Sequence, residues 1–228
     1  MKRVTILTLI LLVTGQGFGS AEEAAFTNPS FVEAIQRFEV ENASGSIPTG
    51  GIVFYGSSTI RMWKLEESFP GTAAINRGFG GSHIADCILA ATRAVIPLQP
   101  RLIVFYAGDN DVAKGKSADQ VLQDFQRFTR VIRKSLPETR ILFLSIKPST
   151  QRWVLYPTMK QANQLIQESI KSDPNLRYLE LGDSMLGEDG LPKSDLFISD
   201  GLHLSEKGYQ LWTAMVAPLL KIDSGPPR

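Results

Sequence analysis

Cysteine is almost missing from this chain. Cys87 is the single thiol, so no intrachain disulfide can brace the fold, and stability has to come from a packed core. Within an apolar helical pattern, a lone cysteine reads as a small buried hydrophobe. Histidine is nearly as scarce, with only His83 and His203 present. Two histidines and one thiol are too few donors for a zinc cluster, so no metal is expected. An excess of charge of either sign is lacking as well: 24 Lys and Arg face 23 Asp and Glu. Such a chain has no electrostatic reason to seek nucleic acid or an anionic membrane surface.

Long hydrophobic runs are also missing. None reaches the roughly 20 residues of a membrane span. The longest, Val4 to Val13, follows Met1-Lys2-Arg3 and precedes the small, polar stretch Gly15 to Ala21. A basic start, a short apolar middle and Gly19-Ser20-Ala21 form a secretory signal pattern, with cleavage expected after Ala21. An uncleaved anchor is the alternative. No cysteine follows the run, which argues against a lipoprotein anchor. Losing residues 1–21 removes Lys2 and Arg3 and leaves a formal charge of −1. The expectation is an exported protein, periplasmic or secreted, with no stable membrane insertion after cleavage. The expected segments are a signal peptide at 1–21, an N-terminal helix and loop at 22–50, one catalytic domain at 51–222 and a tail at 223–228.

What is present is an alternation of apolar strands and amphipathic helices. Asn28-Pro29 reads as an N-cap with proline at the first helical position. Phe31, Ile35 and Phe38 then recur at helical spacing. Strands are expected at Gly51–Tyr55, Ala73–Asn76, Leu102–Ala107, Ile141–Ile146 and Leu176–Leu181. Helices are expected from Ile84 to about Val95, around Val121 to Ile132, from about Tyr156 to Lys171, and from about Ser205 onward. Strictly alternating elements predict one α/β domain, a three-layer α/β/α sandwich with right-handed crossovers. The expected sheet has five parallel strands in the flavodoxin-like order 2-1-3-4-5.

Glycine, serine and acidic residues gather just after the strands. Gly56-Ser57-Ser58 follows the first, and Gly78-Phe79-Gly80-Gly81 follows the second. Gly108-Asp109-Asn110-Asp111 follows the third, and Asp200-Gly201-Leu202-His203 follows the fifth across a long loop. All four fall on the carboxyl edge of the sheet, where open α/β sheets bind ligands. The residue types fit acyl transfer. Ser58 is the candidate nucleophile, His203 its base, and Asp200 the group that orients the imidazole. The N–H groups of Ser58 and Gly81 and the Asn110 amide are candidate oxyanion donors. Each block also has a plain structural reading. The glycines suit turns, Asn110 suits an Asx turn, and Asp200-x-x-His203 suits a helix cap.

Taken together, the four blocks resemble those of the SGNH hydrolases, also called the GDSL esterase/lipase family. The wider pattern is similar to its small bacterial esterases related to platelet-activating-factor acetylhydrolase. The matching residues are Ser58, Gly81, Asn110, and Asp200 with His203, in the family's order. One departure stands out: the family's Gly-Asp-Ser is Gly56-Ser57-Ser58 here. Alignment to the motif still selects Ser58 over Ser57. The resemblance implies a serine esterase that works through an acyl-enzyme without cofactor, on a small-molecule or carbohydrate ester. Short acyl groups are expected, because no amphipathic lid helix is visible and the loop Gly182–Asp200 mixes apolar and charged residues. Alternatives are a lysophospholipase or thioesterase, and a non-catalytic carbohydrate-binding relative. His83, Trp153 and Tyr156 are candidate substrate contacts. The two aromatics are placed as walls for a sugar leaving group or, equally, as parts of a packed loop.

Overall fold

Five apolar strands form the centre of the computed structural model, which describes Phe26 and residues 28–222. The expected signal peptide and the 223–228 tail lie outside the described residues. The strands are β1 (Ile52–Gly56), β2 (Ile75–Gly78), β3 (Leu102–Tyr106), β4 (Arg140–Leu144) and β5 (Leu176–Leu179). All pairings are parallel, in the order β2-β1-β3-β4-β5. β1 and β3 are buried along their whole length. This follows from near-continuous apolar sequence with both faces covered.

Side chains alternate between the two faces. Val53 and Tyr55 of β1 point into one core, against α1 (Pro29–Ala43), α4 (Ile84–Ala94), α6 (Ala118–Ser135) and α7 (Tyr156–Ser169). Ile52 and Phe54 point into the other, against α2 (Ser58–Arg61), α3 (Leu65–Ser68) and α8 (Glu206–Ile222). The result is a three-layer α/β/α sandwich. On the first face Phe105 stacks on Phe128 of α6, with ring centres 4.1 Å apart. Cys87 is buried in that core as an ordinary small hydrophobe. Helix boundaries follow local chemistry. Asn28 caps α1 by accepting from the Ser30 N–H at 3.0 Å. Ser117 and Gln120 exchange bonds as a capping box at the start of α6.

β2 starts and ends two residues later than the expected Ala73–Asn76. Ala73 has φ +49°, a left-handed conformation in which a strand cannot begin. Asn76 is part of the strand because its side chain is satisfied sideways. Its amide donates to the carbonyls of Ile60 and Trp63, and its oxygen accepts from the Gly78 N–H. The fourth and fifth strands end earlier than expected, at Leu144 and Leu179.

α1 is bolted to the domain by charge as well as by Phe31, Ile35 and Phe38. Arg93 of α4 donates twice to Glu39, at 2.6 and 2.7 Å. The buried Arg77 of β2 donates to Glu41 at 2.5 Å and to Asn42 at 2.8 Å, and its guanidinium lies over the Phe38 ring. Asn42 also donates its amide to the Arg93 carbonyl at 2.8 Å.

Candidate active site

The site forms at the carboxyl ends of β1, β2 and β3. β1 runs into Gly56, whose φ of +141° suits glycine alone. A Cβ there would fall 1.8 Å from the Tyr106 carbonyl oxygen of β3. This tight turn separates the two serines. Ser57 is fully buried, and its hydroxyl has no hydrogen-bond partner among the described residues. Ser58 is half-buried and opens α2. Its Oγ lies 2.9 Å from Nε2 of His203, and His203 Nδ1 lies 2.6 Å from Asp200 Oδ2. The two serines are thus told apart by the direction the turn imposes.

The Asp200–His203 segment is held from below. The Asp200 carboxylate accepts from the N–H groups of Leu202 and His203 at 2.8 and 2.9 Å. Partial burial works against its charge. That effect is outweighed by the His203 ring and the two N–H donors, so its pKa is lowered to about 2. Lys147, fully enclosed past the end of β4, donates to the Leu202 carbonyl at 2.9 Å. Burial pulls its pKa down, opposed by the neighbouring Asp109. Thr150 Oγ1 and the Gln151 N–H both donate to the Gly201 carbonyl at 3.0 Å.

Asn110 sits in the first turn of α5 (Asp109–Ala113). Its amide nitrogen donates to the Ser82 carbonyl at 3.1 Å. Its oxygen receives two bonds from Arg152, both at 3.1 Å, and Arg152 also reaches Asp109 at 3.2 Å. This fork leaves the second amide proton of Asn110 free for another acceptor. Asp111, with no exposed surface, accepts from the Ile84 N–H at 3.1 Å and from Lys116 at 2.7 Å. It fastens the glycine loop to α5. Burial raises its pKa against the pull of Lys116. Gly81 has φ +80° and nothing in front of its Cα, so a ligand atom can approach its N–H. Among the described residues, neither the Gly81 nor the Ser58 N–H has an acceptor.

These parts share one open cleft of about 590 Å³, which contains Ser58, Gly81, Asn110 and His203. A separate concavity of about 600 Å³ lies between α3 and α8, lined by Met62 and Tyr209, away from the Ser58–His203 pair. His83, Trp153 and Tyr156 are not among the residues lining the cleft. His83 precedes α4 and pairs with Asp86 at 3.0 Å. That bond raises its pKa, and burial opposes the rise. Trp153 and Tyr156 stack on each other at 5.3 Å, with Tyr156 buried in the core. The packed-loop reading describes their position. Arg152 and Lys147 carried no sequence signal, since a single cation in a polar loop matches no pattern.

The arrangement provides a hydroxyl bonded to an imidazole, a carboxylate behind the imidazole, and Gly81 and the Asn110 amide lining the same cleft. That set can move a proton off an alcohol and hold an oxyanion. Residues 47–211 match the GDSL-like lipase/acylhydrolase family. A curated rice protein, the GDSL esterase/lipase WDL1 of Oryza sativa, is 24% identical over 147 residues, covering 55% of this chain and 55% of its own length. The chain thus spans about half of that relative. A solved Streptococcus pneumoniae protein named for platelet activating factor superimposes with a TM-score of 0.76 at 22% identity. That match covers 84% of this chain and 92% of the other. A mutant of an acetyl-xylooligosaccharide esterase from Geobacillus superimposes at 0.61 with 12% identity, covering 80% and 99%. At these identities the structural matches establish the fold. With the family match spanning most of its length, the chain belongs to the GDSL-like lipase/acylhydrolase family.

Proposed function

We propose that this protein is an exported serine esterase that removes short acyl groups, acetyl above all, through an acyl-enzyme. The observation that carries the reading is the unbroken relay from Ser58 Oγ to His203 to Asp200, at 2.9 and 2.6 Å. Export rests on the signal pattern of residues 1–21.

In this mechanism His203 Nε2 takes the Ser58 proton as Oγ attacks the ester carbonyl. Asp200 keeps the other ring nitrogen protonated and stabilises the imidazolium. The tetrahedral oxyanion is received by the N–H groups of Ser58 and Gly81 and the free amide proton of Asn110. Arg152 fixes which end of the Asn110 amide faces the cleft. His203 then protonates the departing alkoxide, and the C–O bond to the alcohol breaks. Water, deprotonated by His203, attacks the acyl-enzyme and returns Ser58.

The cleft lining favours short acyl groups. Among the described residues, Ala34 and Leu202 are the only apolar side chains lining it. Each buried methylene contributes up to about 0.8 kcal/mol, but only where an apolar groove receives it. The acetyl-xylooligosaccharide esterase among the structural neighbours is in keeping with this reading. The test is kcat/KM across 4-nitrophenyl acetate, butyrate, octanoate and decanoate, with Ser58→Ala as the blank. Acetate or butyrate should be fastest. A maximum at octanoate or longer would overturn the short-acyl reading.

A further inference from the structure

α1 presents two stripes at helical spacing. Phe31, Ile35 and Phe38 enter the core, while Ser30, Glu33, Ala34 and Arg37 line the cleft that holds Ser58. This helix lies ahead of residues 47–211, which match the family. It supplies one wall of the cleft. The opposite walls bring Arg61 and Arg152. Three guanidinium groups face the cleft against one carboxylate, that of Glu33. They differ in how far they are neutralised. Arg152 is bonded to Asp109 and Asn110. Arg37 lies 3.6 Å from Glu41, a carboxylate already engaged by Arg77. Arg61 is one turn beyond Ser58 and beside Gly80 of the oxyanion loop. Its side chain has no hydrogen bond or ion pair with any described residue.

Resting on the esterase reading, we propose that the cleft selects esters that carry a negatively charged oxygen group, such as a carboxylate, near the scissile bond. Arg61 and Arg37 are its recognition residues. The physical ground is that a cleft lined by one sign of charge focuses the field and raises the local concentration of an oppositely charged substrate. Guanidinium is the side chain best matched to a carboxylate, through two parallel N–H bonds. An acyl-chain groove would need apolar walls where these groups stand. Nothing in the reaction changes: the anion stays on the substrate throughout, and Ser58 attacks the same carbonyl.

The test uses two matched pairs. One is 4-acetoxybenzoate with its methyl ester, which places the charge on the alcohol side. The other is mono-4-nitrophenyl succinate with its methyl ester, which places it on the acyl side. The readout is kcat/KM of the anionic ester over that of its neutral partner, with uncatalysed hydrolysis subtracted. Comparing this ratio between proteins cancels the intrinsic reactivity of each ester. In an Arg37→Glu, Arg61→Glu double variant the ratio should fall on the order of tenfold for at least one pair, since each exposed charge contact is worth roughly 2- to 5-fold. In the unaltered protein the same ratio should fall as salt is raised to about 1 M, where screening acts within roughly 3 Å. This second arm needs no substitution. A ratio that moves less than twofold in both arms overturns the proposal and leaves the esterase reading intact. Failure of the unaltered protein to cleave either neutral ester in a Ser58-dependent way overturns both.

Discussion

The molecule contains two histidine–carboxylate pairs that are near copies of each other. Asp200 and His203 are three residues apart, as are His83 and Asp86. In each, Nδ1 meets a carboxylate, at 2.6 and 3.0 Å. In each, that same carboxylate also accepts the histidine's own backbone N–H, at 2.9 and 2.8 Å. The rings are equally exposed, at 24% and 25%. The difference is on the far side of the ring. His203 Nε2 reaches Ser58, 145 residues away in sequence, whereas His83 Nε2 has no partner among the described residues. A His–Asp pair at this spacing is therefore a local device for capping a turn. Chemistry is added only where the sheet delivers a hydroxyl to the open nitrogen.

The largest contrast should appear on removing each ring. His203→Ala is expected to lower kcat by roughly 10⁵–10⁶, the cost of removing a triad histidine in an unrelated serine hydrolase. His83→Ala should leave kcat within a few-fold. Steady-state kinetics on 4-nitrophenyl acetate decides this, and comparable losses would break the comparison. Next come the carboxylates. Asp200→Asn should cost about 10⁴ in kcat through the wrong tautomer. Asp86→Asn should cost stability only, at most about 1 kcal/mol, typical of a lost cap, read from urea unfolding.

Smaller is the effect of Asn110→Ala, roughly 10²–10³ in kcat with KM little changed, because its donor acts on charge formed in the transition state. A KM effect with kcat intact would place Asn110 in ground-state binding instead.

The smallest effect separates the pairs by pH. His83 has a raised folded pKa, so the folded state holds its proton more tightly. The resulting stability is full below the ordinary value of 6.5 and is lost as pH rises through the folded value. Asp200 runs the other way. Its contribution is present above 3.8 and lost only as pH falls toward about 2. His83→Asn should therefore lower Tm by about 2 °C or less at pH 5.5 and by less still at pH 8.5. An effect that grows with pH would contradict the sign.

The sheet was legible in the sequence because its strands are short, mostly apolar runs, the first three of which lead into glycine. The four site blocks were legible because they follow those runs in order. The start of β2 was not, since the left-handed turn at Ala73 leaves no hydropathy signal. α3 and α5 have four and five residues, too few to show a helical period. Trp153 and Tyr156 are drawn to each other and to the core, where residue type alone also suited a sugar wall. The second stripe of α1 reads as an ordinary solvated face until packing sets it against Ser58. Arg152 acquires its role only when folding brings it to Asn110, 42 residues away.

Covalent labelling with a fluorophosphonate tests the central claim most directly, because the probe reacts only with a serine whose proton has somewhere to go. The unaltered protein and His83→Ala should both label, with the adduct mapped by mass spectrometry to Ser58. Folded His203→Ala should not label on the same timescale. Labelling that survives in His203→Ala and disappears in His83→Ala, or an adduct found on Ser57, would contradict the account.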